Sequence, residues 1–394
     1  MKLSGAQVRG FRLRAHHLDR RYPMGELENV AGACGLINSP PGTWETAAFV
    51  RLEGCTLCAL EKALYQDKTL LQAWSIRGVP LVFPTAQAGV FLSPLAAGPG
   101  EDPWIYTRGI AAALDHLGMG FDETLALVRR AVGWLEGHTV KSKEELDRVL
   151  AGRVADWLPP DRRAKWNAPS MYGSPDRQTV GGAAVSFLLR PCAFGGQVVF
   201  GQREGIYPTF TAPARWLGHS LPDCPHGAQI LARRFLHCYG PATRRELADW
   251  LGSSPAQAAR LWGLVEGELM EVEVEGRRRY ALAEDREALL AGEEGDRLLL
   301  LGPHDPYLDL RDRGLILPEP ARQRTLWRTV GSPGAVLRGG RAIGLWRGRT
   351  QGRGLSLSVT LWESLSPAQQ GLLEEQAGAY ADFRGLTLRQ ITFS

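Results

Sequence analysis

The chain has 394 residues, more than one hydrophobic core ordinarily serves, so two to four domains are expected. It is 44% hydrophobic and 22% charged, the balance of a soluble globular protein rather than a disordered or fibrous one. The formal net charge is only +4, from 46 Lys plus Arg against 42 Asp plus Glu, and no apolar run reaches the length that crosses a bilayer.

The N-terminal stretch "MKLSGAQVRGFRLRAHHLDRRY" is basic but has no apolar h-region, so no signal peptide is expected and the placement is cytoplasmic. Six cysteines in so long a chain suit a reducing compartment better than a disulfide scaffold. Arg9, Arg12, Arg14, Arg20 and Arg21 crowd this segment. The planar guanidinium matches phosphate oxygens, although a GC-rich genome also favours arginine codons. "QVRGFRLRAHHL" and "MGELENVAGACG" have helical character, and "WETAAFVRLEGCTLCALEKALYQ" is a longer helical stretch. Cys55 and Cys58 form a CxxC within it. No second CxxC follows, and the periodicity is that of a buried helix, so core packing is expected rather than metal. Between the helices lies "ACGLINSPPGTWE". Asn38 and Ser39 there are either polar filler of a helix-ending turn or groups aimed at a substrate. "LLQAWSIRGVPLVFPTAQ" is strand-like and "PWIYTRGIAAALDHLG" returns to helix, completing a first segment, 1–118.

The second segment, 119–226, contains "TLALVRRAVGWLEG", "TVKSKEELDRVLAGRV" and "TVGGAAVSFLLRPCA" as helices and "QVVFGQREGIYPTF" as a hairpin. A long polar, Pro-rich insertion, 158–178, separates its second and third helices. It is either a ligand-reaching loop or an exposed insertion.

The third segment, 227–292, has the clearest pattern. Ile230, Phe235 and Leu236 form a helical stripe that Gly240-Pro241 ends. Thr243 to Glu246 has the form of a capping box, and Ser254-Pro255 starts a third helix. Alternation through Val272, Val274, Tyr280 and Leu282 around Glu275-Gly276 predicts a β-hairpin. Three helices and a hairpin make a winged helix. Its third helix is poor in bases, so phosphate contacts are expected from Arg277, Arg278 and Arg279 on the wing. Cys224, His226, His237 and Cys238 are near neighbours, but adjacent residues on a helix diverge, so no metal is expected. The last segment, 293–394, alternates around Gly turns and ends in an amphipathic helix and a short strand, a small β-barrel. The expected class is α+β, with three tandem winged helices and a C-terminal barrel.

Four stretches, "LHCYGPATRRELADWLG", "LLLLGPHDPYLDLRDR", "AIGLWRGR" and "LLQAWSIRGVPLVFP", occur in the order and spacing of the AlkZ-like family of winged-helix DNA glycosylases, which the chain resembles. The resemblance implies a DNA-binding concavity and excision of N-alkylated purines, in some members from interstrand crosslinks. It implies double-stranded DNA as partner, alkylated or crosslinked, a monomer, and no cofactor or metal. Candidate phosphate contacts are Arg12, Arg14, His17, Arg51 and Arg77, together with the wing arginines. The family's paired catalytic side chains (Gln-x-Gln, His-x-Gln or Gln-x-Asp) fall at "GLINSPPG". In one register they meet Ile37 and Ser39, in the other Asn38 and Pro40. Asn38 keeps a carboxamide on a stem about 1.5 Å shorter. The family's "RGTlH" Thr and His are replaced by Val79 and Leu81. The candidate catalytic residues are therefore Asn38, Ser39 and Glu45, whereas His304 and Asp305 are expected to support a barrel turn. The alternative is a DNA- or lesion-binding regulator or scaffold without catalysis.

Overall fold

Thr243 and Glu246 form the capping box that the sequence predicts. The Glu246 N–H donates to Thr243 Oγ1 at 3.3 Å, and the Thr243 N–H donates to Glu246 Oε2 at 2.8 Å. This satisfies donors that a helix start leaves unpaired. Helices Gly227–Tyr239, Arg244–Leu251 and Pro255–Gly263 are followed by antiparallel strands Leu269–Val274 and Arg277–Leu282. The turn residues Glu275 and Gly276 both have positive φ, 48° and 77°, as a tight hairpin turn requires. Strand Lys2–Leu3 pairs in parallel with Leu269–Val274, an addition that the two-residue strand did not announce.

The computed structural model describes residues 1–103, 109–172, 178–293, 295–309 and 312–394. They form a mixed α+β structure that divides into two units. The first comprises Met1–Ala63, Ala232–Leu247 and Trp262–Ser394, and the second comprises Leu64–Leu231 and Ala248–Leu261. Each unit is discontinuous, so the divisions differ from segment ends at 118, 226 and 292.

In the first unit, the expected single helix after Thr43 is broken. Helix Thr43–Arg51 ends before Leu52, and a shorter helix, Leu57–Glu61, begins after Thr56 caps it. Cys55 lies buried in the break, where burial pushes its thiol up to about 12, and Cys58 is exposed. The CxxC is thus not one buried helical face. The C-terminal sheet runs Leu298–Leu301, Gly334–Arg338, Arg341–Gln351, Gly354–Leu361, Thr387–Phe393. Its order is linear and its last pairing is parallel, so it is a curled half-barrel rather than a closed barrel. Helix Pro367–Phe383 makes the crossover that a parallel pair needs. Its Leu373, Ala377 and Ala381 pack with Leu300, Trp346 and Val359. Trp346 donates its indole N–H to the Leu301 carbonyl at 2.8 Å. A Cβ at Gly334 would lie 2.2 Å from that indole nitrogen, so only glycine fits there.

In the second unit, helices Phe121–Val132, Lys143–Ala155 and Val180–Phe194 surround one core with strands Val140–Lys141, Val199–Phe200 and Thr209–Thr211. The strand-like stretch is two strands, Leu70–Trp74 and Pro80–Pro84, paired antiparallel. Trp74 stacks on Phe210 at 5.2 Å. The segment 158–178 is no mere exposed insertion. It contains helix Pro160–Trp166, whose Trp166 is fully buried and donates to the Ala151 carbonyl at 3.0 Å. Gly181 makes room for it, since a Cβ there would come within 2.1 Å of the indole. Residues 173–177 of this segment, and 104–108 of the helical stretch before it, lie outside the described residues.

Trp166→Ala removes a large buried side chain and leaves a cavity. It is expected to destabilise the protein by about 3–5 kcal/mol, seen as a lower denaturant midpoint with the slope unchanged.

Candidate active site and its supports

Helix Leu27–Cys34 ends at Gly35, whose φ is 77°, and strand Leu36–Ile37 follows. The loop beyond it closes on itself. Asn38 is buried, and its Oδ1 accepts the Gly42 N–H at 2.7 Å. The Thr43 hydroxyl donates to the Ile37 carbonyl at 2.6 Å and also approaches the Pro40 carbonyl. Gly42 sits at φ 93°, where a side chain is strained, and starts helix Thr43–Arg51. Glu45 lies in the first turn of that helix and pairs with Arg384 Nη1. Arg384 Nη2 donates to the Gly42 carbonyl at 2.7 Å and to Thr46 Oγ1 at 2.6 Å. The three candidate catalytic residues are therefore gathered on one loop and helix start. Ser39 is the exposed one.

A cavity of about 420 Å³ reaches this loop through Arg384, with Arg347, Trp346 and Tyr380 among its walls. Another, about 300 Å³, borders the other end of the same helix at Phe49 and Val50. It is not lined by Asn38, Ser39 or Glu45.

The candidate phosphate contacts separate by burial. Arg51 pairs bidentately with Asp305 at 2.7 and 2.8 Å, with side-chain exposures of 2% and 0%. It also donates to the carbonyls of His16 and Ala47. Burial opposes its charge, but Asp305 more than offsets this and the guanidinium holds its proton more tightly than usual. Arg12 is equally enclosed. It donates to the carbonyls of Tyr239 and Gly240 and to Asp312 at 2.6, 3.0 and 2.8 Å. Arg279 is buried against both oxygens of Glu246. These three arginines, expected as phosphate contacts, are held in the interior by carboxylates and carbonyls. His17, also expected as a phosphate contact, is half-buried at a φ of 56°, and burial, Arg51 and His16 lower its proton affinity. Arg77, in the second unit, donates to the Trp250 carbonyl at 3.0 Å. Arg14 is exposed but anchored on the Ala288 carbonyl at 2.7 Å. Arg278 is exposed and paired with Glu271, and Arg277 is exposed.

Two features escaped the sequence reading. Arg384 stands 339 residues from Glu45, and nothing local marks it. The other is a ribbon. Strands Arg341–Gln351 and Gly354–Leu361 stay paired out to Gln351 and Gly354, beyond the point opposite Trp346 where strand Gly334–Arg338 stops, and Thr387–Phe393 flanks the second of them out to Gly354. Exposed Arg347, Arg349 and Arg353 lie along the extension. Alternation that continues through basic residues on both sides of Gly352 was the available signal.

The sequence pattern described as "DNA glycosylase AlkZ-like" matches residues 30–383. The chain belongs to that family. Within this AlkZ-like setting, the chain is 26% identical over 357 residues to the interstrand DNA cross-link repair glycosylase of Streptomyces sahachiroi, covering 88% of each. The solved structure of the Streptomyces sahachiroi DNA glycosylase AlkZ aligns over the whole of both chains with a TM-score of 0.77 at 23% identity, which shows a shared fold. Among the described residues, no helix is long and apolar enough to cross a membrane.

Asp305→Asn leaves a buried guanidinium without its counter-charge and is expected to cost about 3–5 kcal/mol, read from equilibrium unfolding. A second expectation concerns pH. The His17 ring titrates below the ordinary 6.5 of histidine in the folded protein, because burial, Arg51 and His16 disfavour its charged form, so folding favours the neutral ring. The contribution is intact above 6.5 and is lost as the pH falls from there through the lower folded value. His17→Gln should therefore flatten the decline of melting temperature on the acid side of pH 6.5. An unchanged decline would remove His17 from the account.

Proposed function

We propose that this AlkZ-like protein is a monofunctional DNA glycosylase that excises N-alkylated purines from double-stranded DNA. The observation that carries the reading is the family match over residues 30–383; the resemblance read from the sequence sets the family's catalytic pair against the loop Asn38–Thr43. Three winged helices, bounded near 118, 226 and 292, and a half-barrel would supply the DNA cradle. Phosphate contacts come from the exposed arginines, Arg14, Arg277, Arg278 and those of the ribbon, Arg347, Arg349 and Arg353.

The chemistry asks little of an acid. A purine alkylated at N3 or N7 is already cationic, so its glycosidic bond is weak and the base leaves by itself. The site must hold the nucleotide, stabilise a sugar with oxocarbenium character and orient a water at the anomeric carbon. Asn38 supplies a carboxamide at the loop base, and Ser39 supplies an exposed hydroxyl. Glu45 contributes negative charge near the developing cation, held in place by Arg384.

One observation favours a second reading, a DNA- or lesion-binding protein without base release. Asn38 Oδ1 already accepts the Gly42 N–H and Glu45 is already paired with Arg384, so both candidate acceptors have structural duties.

The test is base release, in EDTA, from duplexes carrying N7- or N3-alkylated purines, with alkali cleavage of the abasic sites. Asn38→Ala is expected to lower the rate on the order of a hundredfold. Asn38→Asp, which keeps the acceptor for Gly42, is expected to retain it. No product from the wild type, with salt-sensitive binding intact, would establish the second reading. In the same binding experiments, Arg277→Ala and Arg349→Ala should each lower the slope of log affinity against log salt by about 0.9.

A further inference from the structure

The strongest polar cluster that the proposed function leaves unused is buried in the first unit. His16, Cys34 and Cys238 bring one ligand atom each within 4.8 Å of one another, and all three are fully enclosed. They come from separate elements. His16 follows helix Gly5–Ala15, Cys34 ends helix Leu27–Cys34, and Cys238 lies near the end of helix Gly227–Tyr239. Their neighbours along the chain do not foretell the meeting.

The imidazole is oriented as a ligand is. His16 Nε2 is 3.0 Å from the Cys238 carbonyl, which only an N–H can satisfy, so the lone pair is assigned to Nδ1. Nδ1 faces Cys34 Sγ at 3.8 Å. An imidazole that gives its second N–H to a backbone carbonyl is the usual arrangement around a bound metal, because it fixes the ring and raises its basicity. A tetrahedral zinc with ordinary bond lengths sets its nitrogen and sulfur donors about 3.5–3.8 Å apart. The pair therefore needs little movement. Cys238 Sγ is in hydrogen-bond contact with the Cys34 thiol and approaches the carbonyls of Ala33 at 3.4 Å and Ala15 at 3.7 Å, weak interactions that thiolate–metal bonds would replace. Tyr239 and Tyr307 place their rings 4.9 and 5.5 Å from the imidazole and close the surroundings.

The geometry points to a site for a thiophilic divalent cation of the zinc class, held by His16 Nδ1, Cys34 Sγ and Cys238 Sγ, with the fourth tetrahedral position taken by a water. Two thiolates, a neutral imidazole and a dication sum to zero charge, which an enclosed apolar interior tolerates far better than an unpaired ion. Soft sulfur donors exclude magnesium and calcium. On binding, both thiol protons leave to solvent and two sulfur–metal bonds form, with no change of oxidation state. The cation would fasten together the helices that end at His16, Cys34 and Tyr239. The first of these precedes the buried Arg51 contact at the His16 carbonyl, and the second leads directly into the Asn38 loop.

The test uses the full-length protein. Reduced, metal-free protein is titrated with cobalt(II) and its absorption is followed. One cobalt per chain, with a thiolate-to-cobalt charge-transfer band and the visible bands of a tetrahedral ion, is the expected result. Cys34→Ser and Cys238→Ser should abolish the charge-transfer band or weaken binding by more than the 10–100-fold typical of an outer-shell change, whereas Cys58→Ser, at the exposed thiol, should leave it unchanged. Should the buried variants fail to fold, the wild type still decides: zinc measured in protein purified without chelator should be released by a mercurial thiol reagent. Reduced, folded wild type that takes up no cobalt overturns the proposal. So does a cobalt spectrum that survives loss of both thiols, or a stable Cys34–Cys238 disulfide as the form present in reducing buffer.

Discussion

The bidentate pair between Arg51 and Asp305 holds the first unit together where its parts would otherwise come apart. That unit is assembled from three stretches of chain, 1–63, 232–247 and 262–394. A buried guanidinium stands at each seam. Arg51 joins the first stretch to the last, and Arg12 joins the first to the second, through Tyr239 and Gly240, and to the last, through Asp312. Arg279 joins the last to the second through Glu246. A buried ion pair adds little net stability over a hydrophobic replacement, but breaking it is costly because the survivor is left charged in an apolar place. The consequence is specificity of docking: each seam has a register in which the guanidinium meets its carboxylate.

The candidate active-site loop inherits its shape from that scaffold. Arg51 ends the helix that the loop begins, and Arg384 grips the other end through Glu45, Gly42 and Thr46. The loop is thus preorganised, which suits a reaction whose demand is placement rather than acid catalysis. Asn38 illustrates the tension. A longer carboxamide would reach outward, whereas the shorter one bonds to a backbone N–H of its own turn, as asparagine commonly does. Any catalysis here has to run with an oxygen that also holds the loop.

Arginine composition was ambiguous for a physical reason. The same planar fork that clasps a phosphate clasps a buried carboxylate or a set of carbonyls. Burial sorts the two. Arg12, Arg51 and Arg279 are interior, while Arg277, Arg347, Arg349 and Arg353 are exposed. Arg278 and Arg279 end in opposite circumstances because strand side chains alternate in face, whereas Arg277 shares the face of Arg279 but stands beside the turn, where it is exposed.

Local chemistry was legible in the sequence wherever short-range rules govern. The capping box at Thr243, the turn at Glu275-Gly276, the strand character of the stretch from Leu70 to Pro84 and the three helices of the second unit all follow from caps, turns and apolar periodicity. Family membership was legible too, because four stretches keep their order and spacing. What needed the tertiary structure were relations across long separations. Trp166 turns a polar insertion into core, the last parallel strand opens the expected barrel, and Arg384 meets Glu45 from the far end of the chain. His16, Cys34 and Cys238 converge for the same reason. Periodicity reports which face of an element is buried, but not which distant element buries it, and a charged or ligating side chain acquires its role only from that partner.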